Sequence, residues 1–117
     1  MKNRSFLARL GFAWSGVASA WRSERSFRTQ VILTALLLPF MLWLQPELFW
    51  WAIVGVMVGL VLAAELFNTA LEHLIDHLHP EIHPTIKIAK DCAAAAVLIL
   101  SIVALIVAGL MVWSELG

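Results

Sequence analysis

Four polar side chains that could do chemistry recur along one otherwise apolar segment of the sequence. They are Glu65, Asn68, Glu72 and Asp76, at offsets of 0, 3, 7 and 11 residues. On a helix that turns by about 100° per residue they fall within roughly 80° of one another, and Thr69 lies on the same side. Carboxylates in such a stripe can take up a proton or hold a divalent cation. The spacing therefore predicts one helix face with catalytic or ion-binding chemistry.

Glu24, Lys90 and Asp91 add a second polar group in other parts of the sequence. Phosphoryl transfer requires a metal ion, a cationic group and a base near the acceptor hydroxyl, and Mg²⁺ is usually held by carboxylates together with substrate phosphates. The two polar groups supply acids for the cation and a lysine for the phosphates. The sequence has no glycine-rich loop ending in Gly-Lys-Ser/Thr and no protein-kinase motif. A kinase built from these residues would have to use another kind of nucleotide site.

The composition indicates that these residues belong to a membrane protein. Apolar residues make up 62% of the 117 residues and charged residues 14%, whereas a soluble domain has about 25% charged residues. A core of this size cannot bury that excess, so we predict an integral membrane protein. The formal net charge of zero indicates no partner by itself, and we expect no nucleic acid. The basic N-terminal region lacks the apolar core of a signal peptide, and we expect none.

The elements that position the polar residues are predicted to be helices, in an all-α fold of one domain over residues 1–117. Apolar stretches of spanning length predict transmembrane helices over about 28–45, 48–75 and 89–113, the first interrupted by Pro39. Before them, apolar residues recur at spacings of three and four, with arginines off that face. This pattern predicts an amphipathic helix over about 4–22 that lies on the membrane surface. An ordinary amphipathic core helix is the alternative.

The basic residues predict the orientation in the membrane. They precede the first span and lie between the second and third spans, whereas the other connection and the C-terminal tail have none. Because positive loops stay in the cytoplasm, we expect a multi-pass protein of the inner (cytoplasmic) membrane, with its N-terminus inside and its C-terminus outside. Glu65 then lies about 25 Å inward from Leu48, near the inner edge of a hydrocarbon layer about 30 Å thick. Glu72 and Asp76 reach the headgroups and water, so the stripe could join a lipid substrate to a soluble one.

At these residues the sequence resembles the prokaryotic diacylglycerol kinase family, which includes the related undecaprenol kinases. The resemblance rests on the stretches Ala20–Arg28, Glu65–Glu72 with Asp76, and Ala89–Leu98, and it covers nearly the whole chain. It implies phosphorylation of a membrane-lipid hydroxyl from ATP, with Mg²⁺ as cofactor. It also implies a homotrimeric bundle with its sites between protomers.

The resemblance implies a role for each candidate residue. Glu65 matches the general base, and Asn68 matches a neighbouring polar residue of the site. Lys90 matches a nucleotide-contacting position and is expected to act in catalysis by offsetting the developing charge. Glu24 and Glu72 match the carboxylates that bind the metal. The residues expected to contact the nucleotide or its metal are Phe12, Glu24, Glu72, Glu81, Ile82, His83, Lys90 and Asp91.

The sequence departs from the family pattern at three positions. Ser5 stands where members can carry an arginine, although Arg4 and Arg9 lie nearby. Phe12 replaces a tyrosine near the nucleotide, and Gln30 replaces an acid found in some members. These differences leave phosphoryl transfer intact but leave the details of nucleotide and lipid choice open.

Diacylglycerol is the preferred substrate hypothesis because of the family name, and undecaprenol, which also presents a primary hydroxyl at the interface, is the alternative. In a different class, a non-enzymatic transport subunit would use Glu65 as a proton or cation site and would not need Lys90, Asp91 or Glu24. A purely structural membrane subunit would tolerate loss of the whole stripe.

Four histidines crowd the predicted inner loop: His73, His77, His79 and His83. They could form a transition-metal site. The simpler interpretation is a set of solvated histidines at the membrane interface, because two of them lie in a segment that contains proline.

Overall fold

The computed structural model of the protein describes residues 5–81 and 83–117, and the described chain is all-helical. In chain order the helices are α1 (Phe6–Ser23), α2 (Arg25–Leu44), α3 (Leu48–Leu78) and α4 (Pro84–Leu116). The last three are long and apolar enough to cross a membrane. The predicted all-α membrane fold with three spans and a preceding helix is therefore confirmed.

The helix boundaries differ from the predicted ones at polar first and last turns. The first helix begins at Phe6 rather than at residue 4, which lies outside the described residues, because the Ser5 side chain caps it by accepting from the Ala8 amide at 3.2 Å. The fourth helix begins at Pro84 rather than at about residue 89, with His83 as its N-cap and proline at a favoured first position. Apolarity alone could not detect these polar turns, because it reports only the part of a helix that lipid surrounds.

Two short breaks define how the helices connect. Glu24 lies in extended conformation between α1 and α2, and Arg28 Nη1 donates to the Trp21 and Arg22 carbonyls at 2.8 and 3.2 Å. These bonds satisfy carbonyls at the end of α1 that have no partner within the helix. At the other end of α2, Gln45 adopts a left-handed conformation with φ 53°, which ends the helix directly before Pro46 and turns the chain into α3.

The central element is α3, which packs against α4 along the largest interface and also contacts α1 and α2. At the end of the bundle opposite Glu65, Met41, Val54 and Met111 form a small buried core. At about 1.5 Å per residue, the 31 residues of α3 extend about 46 Å, which exceeds a hydrocarbon layer about 30 Å thick. One end of α3 must therefore project beyond the lipid tails, and its last turns carry the polar residues.

Most large apolar side chains of the described chain are exposed, as lipid-facing helices require. On α1 these include Phe6, Leu7 and Trp14, which are 69%, 79% and 73% exposed. An apolar face of this kind suits a membrane surface, and the placement of α1 on that surface stays a prediction.

Candidate functional site

Glu65 is a buried carboxylate at the point where α2 meets α3. Its exposed fraction is 2%, and its Oε1 atom accepts a hydrogen bond from the Ser26 hydroxyl at 2.7 Å. Buried charged or polar groups are costly unless they are hydrogen-bonded. The contact with Ser26 therefore satisfies the Oε1 atom of this buried carboxylate.

Asn68 and Glu72 form the next pair along the stripe. Asn68 Nδ2 donates to Glu72 Oε1 at 3.1 Å, which places one residue a turn from the other on the same face of α3. Within the described part of the chain, Asn68 Oδ1 is buried and has no hydrogen-bond partner. A buried acceptor of this kind calls for an explanation, and a ligand that brings a hydroxyl, a water or a cation to this face would supply one.

Asp76 and Lys90 connect the end of the stripe to α4. Lys90 Nζ lies 2.5 Å from Asp76 Oδ1, and the two side chains are 37% and 62% exposed. An ion pair this exposed contributes about 0–1 kcal/mol to stability. The pair therefore holds Lys90 at the site without preventing it from turning to a more highly charged ligand.

Asp91 is paired in a similar way. Its Oδ2 atom lies 2.7 Å from Nζ of Lys87, one helical turn earlier on α4, and both side chains are largely exposed. In this structure Asp91 is therefore paired with Lys87 at the start of α4, and its contact with a nucleotide stays a prediction.

A cavity of about 280 Å³ lies between the end of α3 and the start of α4. Three predicted nucleotide contacts, Glu81, His83 and Lys90, line it together with His79, Pro80, Ile86 and Lys87. Pockets for small ligands measure about 300–1,000 Å³, so this cavity could hold part of a nucleotide. Ile82, predicted beside them, lies outside the described residues.

Glu24 is half-buried at the break between α1 and α2. It occupies the N-cap position of α2, yet its side chain makes no capping hydrogen bond. The oxygen atoms of its carboxylate are thus not engaged in capping the helix. Its oxygen atoms and those of Glu72 are the hard donors that Mg²⁺ prefers, and two carboxylates together with substrate phosphates are a common Mg²⁺ ligand set. The two residues fit that ion.

Phe12 is 44% exposed on α1. Neither Phe12 nor Glu24 lines the cavity between α3 and α4 among the described residues. The described chain therefore gathers Glu81, His83 and Lys90 around this cavity, whereas Phe12, Glu24, Glu72 and Asp91 are not among its lining residues. Their roles stay predictions.

The histidines give no metal centre in the described residues, where no group of three His, Cys, Asp or Glu side chains is placed to hold a metal ion. His79 and His83 stack edge to face with ring centroids 5.9 Å apart. His83 Nδ1 accepts from the Thr85 amide at 3.1 Å, so this ring is used to begin α4.

Two residues of this site were not predicted from the sequence. Serine carries no charge and is common in helix first turns, so the sequence signal for Ser26 is limited to its position two residues after Glu24. Lys87 contributes in the sequence only to the predicted orientation of the chain in the membrane. Its spacing of three from Lys90 places both lysines on one face of α4, and both line the cavity.

The chain is similar to known proteins over most of its length. The family model described as prokaryotic diacylglycerol kinase matches residues 11–112. The chain is 34% identical over 107 residues to diacylglycerol kinase of Escherichia coli, which covers 92% of this chain and 88% of that protein. It is 36% identical over 106 residues to diacylglycerol kinase of Synechocystis sp., covering 90% of this chain and 61% of that protein. It is 31% identical over 101 residues to undecaprenol kinase of Bacillus subtilis, covering 86% and 81%.

Proposed function

The chain belongs to the prokaryotic diacylglycerol kinase family and is a lipid kinase of a membrane, and we propose that it phosphorylates the primary hydroxyl of diacylglycerol with ATP to give phosphatidic acid. The choice of lipid is supported by the relatives named diacylglycerol kinase, which are 34% and 36% identical to the chain. The relative named undecaprenol kinase is 31% identical, and undecaprenol is the alternative acceptor.

The observation that carries the proposal is the continuity of the polar face of α3. It begins at the buried Glu65 and ends at the exposed Asp76, which contacts Lys90 of α4. At about 1.5 Å per residue, eleven residues cover about 16 Å. A lipid hydroxyl at one end and a water-soluble nucleotide at the other could both reach this face.

Glu65 is the general base of the proposed reaction. It takes the proton of the lipid hydroxyl as that oxygen attacks the γ-phosphorus of ATP, and the bond from the γ-phosphorus to the bridging oxygen of ADP breaks. Because Ser26 occupies Oε1, we assign the proton to Oε2. Asn68, whose Oδ1 atom is buried without a partner in the described chain, would orient the reacting groups one turn away.

Glu24 and Glu72 are the residues we assign to Mg²⁺, which when bound neutralises charge on the ATP phosphates. Lys90 adds a cation at the same phosphates, and Glu81, Ile82, His83, Asp91 and Phe12 would complete the nucleotide site. The arrangement resembles other phosphoryl-transfer sites in that the protein contributes positioning and electrostatic stabilisation rather than covalent chemistry.

The ion pair between Lys90 and Asp76 provides a test of the lysine. Lys90→Met, which keeps the apolar stem and removes the charge, should raise the KM for MgATP about tenfold or more, since contacts of charged groups with phosphate are strong. Asp76→Asn removes the competing carboxylate and should leave this KM unchanged or lower it. Steady-state kinetics with varied MgATP at saturating lipid measures both.

Equal increases in KM for the two variants would show that the ion pair itself matters and that Lys90 does not contact the nucleotide. A transport subunit predicts no lipid phosphorylation by the wild-type protein or by either variant, so the same measurement also separates the two classes of function.

The assembly and orientation are part of the proposal. We propose a homotrimer in the inner (cytoplasmic) membrane with the N-terminus and the α3–α4 connection in the cytoplasm. The orientation is supported by the basic residues of the N-terminal region and by Lys87 and Lys90 near the start of α4. Within one chain the described site residues are divided between the α1–α2 break and the α3–α4 cavity, and a composite site between protomers would bring such separated groups together.

The lipid can be identified by competition. When diacylglycerol and undecaprenol are present at equal mole fractions in mixed micelles, we expect phosphatidic acid to be the main product. Chromatography of lipids labelled from γ-³²P-ATP distinguishes the two products. Predominant undecaprenyl phosphate would reject diacylglycerol as the preferred acceptor and leave lipid phosphorylation intact.

A further inference from the structure

We propose that Ser26 is a positioning residue that holds the carboxylate of Glu65 in its reactive orientation, an inference that rests on the proposed role of Glu65 as base. The contact is direct: the Ser26 hydroxyl donates to Glu65 Oε1 at 2.7 Å. It crosses from α2 to α3 and links residues 39 positions apart. Nothing in the resemblance or the polar stripe assigned a role to this serine.

The hydroxyl of Ser26 behaves differently from the other helical hydroxyls near it. Ser23, Thr29, Thr34 and Thr69 each donate to a backbone carbonyl four residues earlier, at 2.8 to 3.0 Å. This is the usual local bond of serine and threonine inside a helix. Ser26 instead bonds to a side chain of another helix, so its contact is tertiary rather than local.

The helix break at Glu24 explains why Ser26 is free to do this. Because α2 begins at Arg25, the residue four positions before Ser26 is Arg22, which belongs to α1. The Arg22 carbonyl accepts from Arg28 Nη1 at 3.2 Å. Ser26 therefore has no carbonyl of its own helix to bond, and its hydroxyl is directed to the buried carboxylate.

The contact also couples the base to the segment proposed to hold the metal. Glu24 and Ser26 stand at the N-cap and in the first turn of α2, so the same turn presents a free carboxylate and a donor to Glu65. With Oε1 held by Ser26, rotation of the Glu65 carboxylate is restricted and Oε2 is presented in one direction. Misplacement of a reacting group by about 1 Å can cost on the order of 10²-fold in rate.

Ser26→Ala tests the inference with little risk to folding. Ser26 is exposed as a residue, alanine is the best helix former, and the replacement leaves no hole in a packed core. We expect kcat to fall by about tenfold to a hundredfold, as for loss of a hydrogen bond to a charged group. The KM for MgATP should stay unchanged, and Ser26→Thr, which restores a hydroxyl, should recover most of kcat.

Thr29→Ala is the matched control, because it removes a hydroxyl from the same helix that bonds only to the Arg25 carbonyl at 3.0 Å. It should leave kcat within about twofold of the wild-type value, as expected for a surface position. An unchanged kcat in Ser26→Ala would overturn the inference, and so would an equal loss in Ser26→Ala and Ser26→Thr. Absence of phosphate transfer by the wild-type protein would instead reject the proposed function.

A measurement without turnover tests the contact itself. Infrared spectra are recorded for the wild-type protein, Ser26→Ala and Thr29→Ala, each with and without the additional change Glu65→Gln. The difference spectrum of each pair isolates the bands of the Glu65 carboxyl group. Removal of the Ser26 hydroxyl should shift these bands, whereas Thr29→Ala should not. Identical Glu65 bands in the wild-type protein and in Ser26→Ala would also overturn the inference. If Ser26 only stabilised α2, its hydroxyl would have no influence on the bands of the Glu65 carboxyl group.

Discussion

Replacement of Glu65 by glutamine should lower kcat on the order of 10²- to 10⁴-fold, the usual contribution of a general base. Glutamine has nearly the same shape, and its amide oxygen can still accept from the Ser26 hydroxyl that now reaches Oε1 at 2.7 Å. The variant should therefore fold and bind MgATP normally. It loses only the capacity to take the proton from the lipid hydroxyl.

The control for Glu65→Gln is Glu47→Gln, at the opposite end of α3. Glu47 lies at the N-cap of α3 without a side-chain capping bond, so its replacement changes the same functional group far from the stripe. Initial rates of lipid phosphorylation at saturating substrates measure both variants. If kcat of Glu65→Gln were close to that of Glu47→Gln, Glu65 would not be the general base of the reaction.

Replacement of Glu24 or Glu72 by glutamine should raise the Mg²⁺ concentration required for half-maximal activity. Even residues that only support metal ligands change metal affinity by about 10- to 100-fold, so removal of a ligating carboxylate should raise the requirement about tenfold or more. Glutamine at position 72 can still accept from Asn68, which contacts Glu72 at 3.1 Å. The local structure of α3 should therefore persist.

Titration of activity with Mg²⁺ at constant ATP measures this effect, with Glu47→Gln again as the control. High Mg²⁺ should restore part of the lost activity, because the remaining carboxylate and the phosphates still bind the ion. An unchanged Mg²⁺ dependence in either variant would show that its carboxylate is not a ligand.

The fold could be predicted because lipid imposes strong rules on sequence. Spanning helices must be long and apolar, and α2, α3 and α4 all follow that rule. The rule does not extend to polar turns, which is why the five residues from Pro84 to Ile88 were not predicted to be helical. This part of the helix depends on His83 as N-cap and on a proline in the first turn. Such local effects of single residues are not visible in the mean hydropathy of a segment long enough to span a membrane.

The site could be predicted where its residues share one helix and only in part where several helices meet. Glu65, Asn68 and Glu72 follow from helical periodicity, and the bond between Asn68 and Glu72 agrees with it. The contact of Ser26 with Glu65 depends on how α2 and α3 pack against each other, because the two residues are 39 positions apart in sequence. No periodicity within either helix contains that information.

The pairing of Lys90 with Asp76 likewise joins two helices across a loop. The sequence indicated both residues but gave no reason to expect them in contact, because their separation of 14 residues spans the end of one helix and the start of another. The structure adds that this lysine lies at the junction of the polar stripe and the cavity.

Transfer of ³²P from γ-labelled MgATP to a lipid, by purified wild-type protein in mixed micelles, tests the central claim most directly. Diacylglycerol and undecaprenol are offered separately, and Glu65→Gln is assayed in parallel. The account predicts a labelled lipid with the wild-type protein and almost none with Glu65→Gln. No labelled lipid from either acceptor, with a folded wild-type protein, would contradict the assignment of this chain as a lipid kinase.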